Sequence, residues 1–340
     1  MSNDSSSPAD RPDPGIAAVR VADTPVVAAE SVDGYGPIFN AGLIWHDGNY
    51  HLFARGVRDG YRKNEGPGPR FLDYISDVLV FTSPDGLRYD FQQVLASAPE
   101  VEVQAYEDPR VQRVRTPDGE RFVMTYTSLP APYSRRPWQV GVHRLGYEDG
   151  HFFLNHTSGR VIGPDGVPDK DAVIFNLRDG RIGYVHRVHP DIQLAVFDTL
   201  DDLWDPPVGY WDEHLRDLAD HVIISATDGA LGVGAGAPPL EIDGELVFFF
   251  HEREAGGHYT VKVALLDLDT GRVSAMLRDP VMRPELVWER EGDVDNVVFI
   301  QGAVLRDDGS VYFTYGAADR SVGAAVLDGA SLVAALRDAA

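Results

Sequence analysis

The stretch "AGLIWHDGNYHLFAR", residues 41–55, contains two runs of alternating apolar residues that meet at an Asp-Gly pair. Asp-Gly is favoured in tight hairpin turns because both residues tolerate a positive φ. Four further stretches repeat this arrangement: "PRVQRVRTPDGERFVMTY", "AVIFNLRDGRIGYVHR", "PPLEIDGELVFFFH" and "GAVLRDDGSVYFTYG". Successive turn aspartates are 71, 61, 64 and 65 residues apart, and they are Asp47, Asp118, Asp179, Asp243 and Asp308. A regular period of this size in an all-β chain indicates the blades of a propeller.

Weaker strand pairs lie between these hairpins, in "DVLVFTSPDGLRYDFQ", "QVGVHRLGYEDGHFFLN", "IQLAVFDTLDDLWD", "TVKVALLDLDTGRVSAM" and "VGAAVLDGASLVAAL". Two hairpins per repeat predict an all-β, five-bladed propeller with four strands in each blade. The end of the chain, residues 330–340, looks helical, so the run from Val19 to Val27 is expected to supply the closing outer strand. A five-repeat β-solenoid or a pair of β-sandwiches would also fit the period.

We expect one catalytic domain over residues 16–340, preceded by a disordered tail, residues 1–15, which is rich in Ser, Pro and polar residues. The formal net charge of −23 argues against nucleic acid or an anionic membrane as a partner. No apolar run is long enough to span a bilayer, and no secretory signal is recognisable. The cytoplasm is therefore the expected location. Propeller edges are compatible with a monomer or a homo-oligomer.

Two sets of positions are expected to meet at one face of the propeller. Eight residues after each turn aspartate, at the end of the second strand, come Arg55, Tyr126, Arg187, His251 and Gly316. Just before each first strand come Asn40, Asp108, Asp171, Gly236 and Gln301. First strands line the central channel, so Asp108 is predicted at its mouth. Pro109 would then occupy the start of a strand, where its missing N–H costs no ladder hydrogen bond.

The same alignment gathers Arg55, Lys170, Arg187 and His251 into a predicted cationic cluster within an acidic protein. Such a cluster suggests an anionic ligand such as phosphate. The alternative is that these groups form structural ion pairs, Asp108 with Arg110 and Lys170 with Asp171. No metal is predicted, because the spacing of the candidate ligands matches no standard site; they are His186, His189 and His221.

Several motifs together resemble glycoside hydrolase family 130, the β-mannoside phosphorylases and mannosidases. They occur in the family's order between about Phe39 and Asp319: "FNAG", "FARG", "YEDPRV", "DKDAVIF", "HRVHPDIQLA", "GAGAPPLE", "FFFHE", "ALLDLD", "RPELVWEREGDVDNVVFIQGA" and "YGAAD". The resemblance implies a five-bladed propeller, in agreement with the count of turns. It also implies inverting phosphorolysis of a β-mannoside to α-mannose 1-phosphate and a free sugar, with inorganic phosphate as co-substrate and no other cofactor.

The resemblance also implies roles for individual residues. Asp108 would be the general acid, protonating the glycosidic oxygen through the mannose 3-hydroxyl. The phosphate would be bound by Lys170, Arg187, His251 and Tyr259. The mannoside would be bound by Asn40, Arg55, Tyr106, Asp171 and Asp319. The loops "GYRKNEGPGPRFLDY" and "SLPAPYSRRPWQ" are expected to shape the site of the leaving sugar.

One departure keeps a second activity open. Glu252 stands where many phosphorylases of the family have Gly, and its carboxylate could activate water in an inverting β-mannosidase. A phosphorylase has less need of such a base, because phosphate is already an ionised nucleophile, whereas an inverting hydrolase needs a carboxylate to deprotonate water. A non-catalytic propeller that binds a glycan is the third possibility.

Overall fold

The computed structural model describes residues 15–98, 103–130 and 136–340. Within these ranges the strands form five sheets of four or five strands each, together with a two-stranded ribbon. The sheets succeed one another along the chain, which confirms the predicted five-bladed, all-β propeller. The predicted tail lies outside the described residues except for Gly15.

The first strand, β1 (Val19–Arg20), belongs to the last blade. Blade 1 then consists of β2 (Tyr35–His46), β3 (Asn49–Arg58), β6 (Ser76–Ser83) and β7 (Asp90–Ala96), and the ribbon between its strands is β4 (Arg62–Lys63) with β5 (Phe71–Leu72). Blade 2 consists of β8 (Val103–Thr116), β9 (Gly119–Pro130), β10 (Gln139–Glu148), β11 (His151–Leu154) and β12 (Arg160–Ile162), with a 3₁₀ turn at His156–Ser158.

Blade 3 departs from the predicted second hairpin. Its strands are β13 (Lys170–Asn176), β14 (Ile182–Arg187), β15 (Ile192–Phe197) and β16 (Val222–Ile224), and three short helices precede the last one: α1 (Leu200–Trp204), α2 (Tyr210–Arg216) and α3 (Leu218–His221). The stretch "DTLDDLWD" was therefore wrongly predicted as a strand. The Thr199 side chain accepts a hydrogen bond from the Asp202 N–H, and the Thr199 backbone N–H donates to the Asp202 carboxylate, so a capping box starts a helix there.

Blade 4 consists of β17 (Gly232–Ala235), β18 (Leu240–Ile242), β19 (Glu245–Arg253), β20 (Tyr259–Leu266) and β21 (Val273–Met276). Its inner position is shared by β17 and β18, which both pair with β19, whereas a single strand was predicted there. Helix α4 (Val287–Arg290) leads to blade 5, which consists of β22 (Val298–Leu305), β23 (Ser310–Ala317) and β24 (Ser321–Asp328), followed by α5 (Gly329–Asp338).

The N-terminal strand closes the ring, as predicted. Val19 pairs with Val326 in β24, and Val27 forms a bridge with Val322. Arg20 donates two hydrogen bonds of 2.7 and 2.8 Å to the carboxylate of Glu289, whose side chain is fully buried. Glu289 also accepts a hydrogen bond from the Tyr315 hydroxyl. This bidentate pair ties β1 to the segment that joins blades 4 and 5.

Five apolar clusters fill the interfaces between neighbouring blades. The run Phe248–Phe250 shows how one strand serves two of them. Phe248 and Phe250 face blade 3, whereas Phe249 faces blade 5, because successive side chains of a strand point to opposite faces. The period-2 alternation thus buries both faces of each sheet. The inner strand of each sheet carries the residues that face the channel.

Candidate active site

Bulges in the inner strands carry the channel residues. Asn40, Asp108 and Asp171 have φ values of 46°, 51° and 53°, and each lies where pairing with the second strand shifts register. Asn and Asp adopt this left-handed conformation more readily than most residues. The prediction that these residues come just before the first strands is wrong, because all three lie inside β2, β8 and β13. Pro109 instead occupies the bulge, where the ladder is already interrupted.

The motif Glu-Asp-Pro-Arg holds a compact polar cluster. Asp108 Oδ1 accepts hydrogen bonds from Asn40 Nδ2 at 2.7 Å and from Arg55 Nη1 at 3.2 Å. Arg55 also donates to Glu107 and lies over the ring of Tyr74, with 5.1 Å between its guanidinium carbon and the ring centroid. Arg55 is therefore shared by two carboxylates. Arg110 Nη1 donates to the backbone carbonyl of Asp108 at 3.1 Å and not to its carboxylate, so the predicted ion pair of Asp108 with Arg110 is wrong.

Arg110 lies in the centre of the propeller and is 1% exposed. It donates to the carbonyls of Ala235 and Gly236 at 2.6 and 2.7 Å and to Asp171 Oδ1 at 3.3 Å. Blades 2, 3 and 4 are joined by these bonds just below the cavity. The last residue of the motif is thus structural, and it fixes the bulge that presents Asp108.

Glycines allow this close packing. A Cβ on Gly316 would lie 1.8 Å from Asn40 Oδ1, and a Cβ on Gly234 would lie 2.5 Å from both Asp171 Oδ2 and His251 Nε2. No side chain can be added at either position without displacing a polar group of the site. The Gly-rich stretch of residues 232–239 therefore serves a close backbone approach to the channel.

A second polar cluster surrounds Asp171. Arg187 Nε lies 3.1 Å and His251 Nε2 lies 3.7 Å from Asp171 Oδ2. Burial by itself would raise the pKa of Asp171, but the neighbouring Arg187 and Lys170 hold it below its usual value. Burial lowers the pKa of His251 to about 3, so this imidazole is neutral near pH 7. Of the predicted cationic cluster, Lys170 and Arg187 lie here and His251 contributes no charge, whereas Arg55 belongs to the first cluster, with Asp108 and Glu107.

Both clusters adjoin one cavity of about 820 Å³. Six of the residues predicted for the site line it: Asn40, Arg55, Asp108, Lys170, Tyr259 and Asp319. Arg187, Asp171 and His251 lie behind Lys170 and Tyr259, in the second cluster. Arg70, Phe71 and Tyr74 also line the cavity and belong to the loop predicted for the leaving sugar, whereas Arg253 and Phe299 were missed. They come from loops or strand ends, where no period singles out individual residues.

The carboxyl groups of the cavity have different acidities. Burial and the neighbouring Asp108 and Glu107 raise the pKa of Asp319 to about 7, against the opposing effect of Arg55. Burial also raises the pKa of Glu107, although Arg55 lowers it. Burial raises the pKa of Tyr259, so its hydroxyl is protonated and can donate a hydrogen bond into the cavity.

Two predicted site residues lie away from the cavity. Tyr106 is 1% exposed and packs in the core between blades 1 and 2, because it faces the opposite side of β8 from Glu107. Glu252 likewise lies on the other face of β19 from His251. Its carboxylate is 3.6 Å from Lys262 Nζ and accepts a hydrogen bond from the Thr227 N–H. Neither residue is among the described residues that line the cavity.

Within the described ranges, no three His, Asp or Glu side chains are arranged to hold a metal ion, and no helix is long and apolar enough to cross a membrane. The site is instead a cavity with a carboxyl group held by Asn and Arg, cationic side chains a short distance away, and aromatic walls. This combination is typical of a binding or catalytic site for a polar, partly anionic ligand.

The chain belongs to glycoside hydrolase family 130, because the family model described as beta-1,4-mannooligosaccharide phosphorylase matches residues 16–337. The 1,2-beta-oligomannan phosphorylase of Thermoanaerobacter sp. (strain X514) is 30% identical over 91% of this chain and 96% of its own length. The complex of beta-1,2-mannobiose phosphorylase from Listeria innocua with beta-1,2-mannobiose has a TM-score of 0.74 at 17% identity, covering 94% of this chain and 99% of that one.

Another solved structure comes from the glycoside hydrolases of the same family that target beta-1,2 mannosidic linkages in Candida mannan. Its TM-score is 0.68 at 20% identity, and the match covers 93% of this chain and 95% of that one. Family membership confirms the resemblance drawn from the motifs and the predicted enzyme class, a glycoside phosphorylase. The relatives support mannoside phosphorylase activity in general terms.

Proposed function

We propose that this chain phosphorolyses a β-mannoside with inversion, releasing α-mannose 1-phosphate and a free sugar. The observation that carries the proposal is one cavity lined both by Asp108, which Asn40 and Arg55 bind (the acid end), and by Lys170, whose strand partner Arg187 lies outside the lining (the cationic end). An inverting displacement needs its acid and its nucleophile on opposite sides of the anomeric carbon. We therefore assign the acid end and the cationic end to opposite faces of the sugar.

In the proposed reaction, phosphate binds between Lys170 and Arg187, with the Tyr259 hydroxyl as a further donor. A phosphate oxygen attacks the anomeric carbon as the bond to the leaving oxygen breaks. Asp108 supplies the proton to that oxygen, through the mannose 3-hydroxyl as the family resemblance implies. The hydrogen phosphate gives up its own proton when it becomes the sugar ester, and this proton restores Asp108.

Asn40, Arg55 and Asp319 line the acid end, where we place the mannose ring. Asp319 has a pKa of about 7, so it can donate a hydrogen bond to a sugar hydroxyl when protonated and accept one when ionised. Asp171 lies 3.3 Å from Arg110 Nη2 and 3.1 Å from Arg187 Nε, so its proposed role is to fix these cations. His251, neutral beside Asp171, can donate or accept a hydrogen bond but adds no charge.

The leaving sugar is assigned to the wall that residues 69–74 contribute to the cavity. Phe71 and Tyr74 stack with ring centroids 5.3 Å apart. Arg70 donates to the Asp293 carbonyl at 2.7 Å, which holds the loop against the segment before blade 5. Leu129 and Pro130 add to the same cavity. The rest of the second predicted loop, residues 131–135, lies outside the described residues.

Hydrolysis is the alternative activity, with Glu252 as the base that activates water. The position of Glu252 argues against that role. Its carboxylate is buried beside Lys262 instead of facing the cavity. The β-1,2 linkage is our first choice of substrate, because relatives with that linkage in their names match most of this chain.

The test is a panel of β-1,2- and β-1,4-linked mannosides, incubated with and without inorganic phosphate, with mannose and mannose 1-phosphate measured separately. We expect mannose 1-phosphate only with phosphate, and fastest from a β-1,2-mannoside. Release of mannose at an equal rate without phosphate would replace the proposal by hydrolysis. Binding without any turnover would favour a glycan-binding propeller.

A further inference from the structure

A chain of buried polar side chains runs through blade 3 behind the cationic end of the cavity. Asp169 and His186 are fully buried, and His186 Nδ1 lies 3.0 Å from Asp169 Oδ2. The other ring nitrogen, His186 Nε2, lies 3.0 Å from His214 Nε2. His214 is 3% exposed and stacks on His221 with 4.0 Å between ring centroids.

The hydrogen-bond pattern fixes the tautomers. When both rings are neutral, the Asp169 carboxylate accepts the proton of His186 Nδ1, and Nε2 of His186 has a free lone pair. His214 Nε2 must then be the donor in the short contact between the rings, and its Nδ1 carries no proton. Burial lowers the pKa of His214 to about 3, with His186 and His221 adding to the effect, so the ring is neutral near pH 7. Each hydrogen bond is thus directed from His214 towards Asp169.

This row of buried side chains is joined directly to the strand ends that carry Lys170 and Arg187. Asp169 immediately precedes Lys170, and His186 immediately precedes Arg187. Asp169 Oδ1 also accepts a hydrogen bond of 3.1 Å from the backbone N–H of Arg187. Lys170 and Arg187 pair directly across β13 and β14. The Asp169 carboxylate therefore fixes the spacing of the two strand ends.

His214 comes from α2, in the helical segment between β15 and β16 that the sequence did not reveal. This segment buries a polar ring against His186, and an apolar residue would fill that space at less cost in desolvation. A buried His214 side chain has a purpose if it orients His186 and, through His186, the Asp169 carboxylate beside Lys170 and Arg187.

We propose that Asp169, His186 and His214 form a positioning unit for the phosphate site, so that His214 controls phosphate affinity without lining the cavity. The proposal rests on the assignment of Lys170 and Arg187 to phosphate. His214 acts by orienting His186, which orients Asp169, which holds the backbone of Arg187 beside Lys170.

The test compares His214→Leu, which keeps the volume but loses the donor, with His214→Gln, whose side-chain N–H can replace it. Glu213→Gln is the matched control, since Glu213 is exposed on the same helix. Losing one buried hydrogen bond should raise the KM for phosphate about 2- to 10-fold in His214→Leu. The KM for the mannoside should stay unchanged, and His214→Gln and Glu213→Gln should resemble the wild type.

Equal changes in both KM values, or none in a folded His214→Leu, would overturn the inference while leaving the proposed function intact. If His214→Leu does not fold, His214→Met serves in its place, since Met adapts to irregular cores. Calorimetric titration of each variant with inorganic phosphate gives a second reading that needs no turnover. A wild type that shows neither phosphorolysis nor phosphate binding would refute the assignment of the cations and this inference together.

Discussion

Replacing Asp108 by Asn should remove the acid and leave the fold intact. The amide oxygen of Asn can accept the same two hydrogen bonds, from Asn40 at 2.7 Å and Arg55 at 3.2 Å. Asn also tolerates the φ of 51° at this bulge. Arg55 keeps its second partner, Glu107. We therefore expect the melting temperature to change by no more than about 2 °C.

The catalytic effect should be much larger. General acid catalysis contributes about 10²- to 10⁴-fold to a rate, so kcat on a mannobiose should fall by that factor. The deficit should shrink to about tenfold or less on an aryl mannoside, whose phenolate departs without a proton. Initial rates of mannose 1-phosphate release, measured with saturating phosphate, give both numbers.

The matched control is Asp243→Asn, which makes the same change at the same φ of 51° in an exposed hairpin turn. This variant should retain wild-type kcat. The acid assignment is refuted if Asp108→Asn keeps most of its activity on mannobiose, or if its deficit is the same on the aryl substrate.

Four further predictions concern stability, pH and specificity. Arg20→Met should cost about 3 kcal/mol, since it leaves the buried Glu289 without its guanidinium partner. At about 0.7 kcal/mol per degree for a chain of this length, the melting temperature should fall by about 4 °C in calorimetry, whereas Arg337→Met at an exposed pair should shift it by less than about 1.5 °C. Between pH 4 and 7 the folded protein keeps a proton on Asp319 that the unfolded chain has lost, so wild-type stability should fall with rising pH relative to Asp319→Asn. Because Asp319 is partly exposed at the cavity wall, we expect a slope well below the limit of about 1.4 kcal/mol per pH unit; parallel urea unfolding curves for the two proteins would contradict the assignment. Phe71→Ala should raise the KM for an oligomannoside about 2- to 12-fold but not the KM for phosphate, and equal effects on both would argue against a leaving-sugar wall. Glu252→Gln should lower stability by about 1–3 kcal/mol, since Lys262 loses its partner, and kcat at 25 °C should stay within about twofold of wild type; a selective loss of phosphate-independent hydrolysis would return Glu252 to the role of base.

The architecture was predictable because each blade has two signals in the sequence, an Asp-Gly turn and an alternation of apolar residues with period 2. Asp47 and Asp243 have the positive φ that such turns require, 49° and 51°. The helical segment before β16 was not predictable from the repeat, because it replaces a hairpin in one blade only. The capping box at Thr199 was present in the sequence, but the expected period favoured a strand.

Alignment of the repeats located the second strands but not the starts of the inner strands, and it did not give the direction of every side chain. The bulges insert extra residues into the inner strands, so Asp108 and Asp171 reach the channel from within the sheets. Tyr106 and Glu252 were selected by their place next to motif residues, yet adjacent residues on a strand face opposite sides. His251 was predicted to be cationic, but burial lowers its pKa to about 3, and a sequence motif does not show how deeply a residue is buried.

The measurement that tests the central claim most directly is the anomeric configuration of the first product. The wild-type enzyme, with a β-1,2-mannobiose and inorganic phosphate, should be followed by proton and phosphorus magnetic resonance from the first turnovers. Attack by phosphate held at Lys170 and Arg187 predicts α-mannose 1-phosphate, with none formed when phosphate is omitted. Free mannose as the first product, formed at the same rate with or without phosphate, would contradict it.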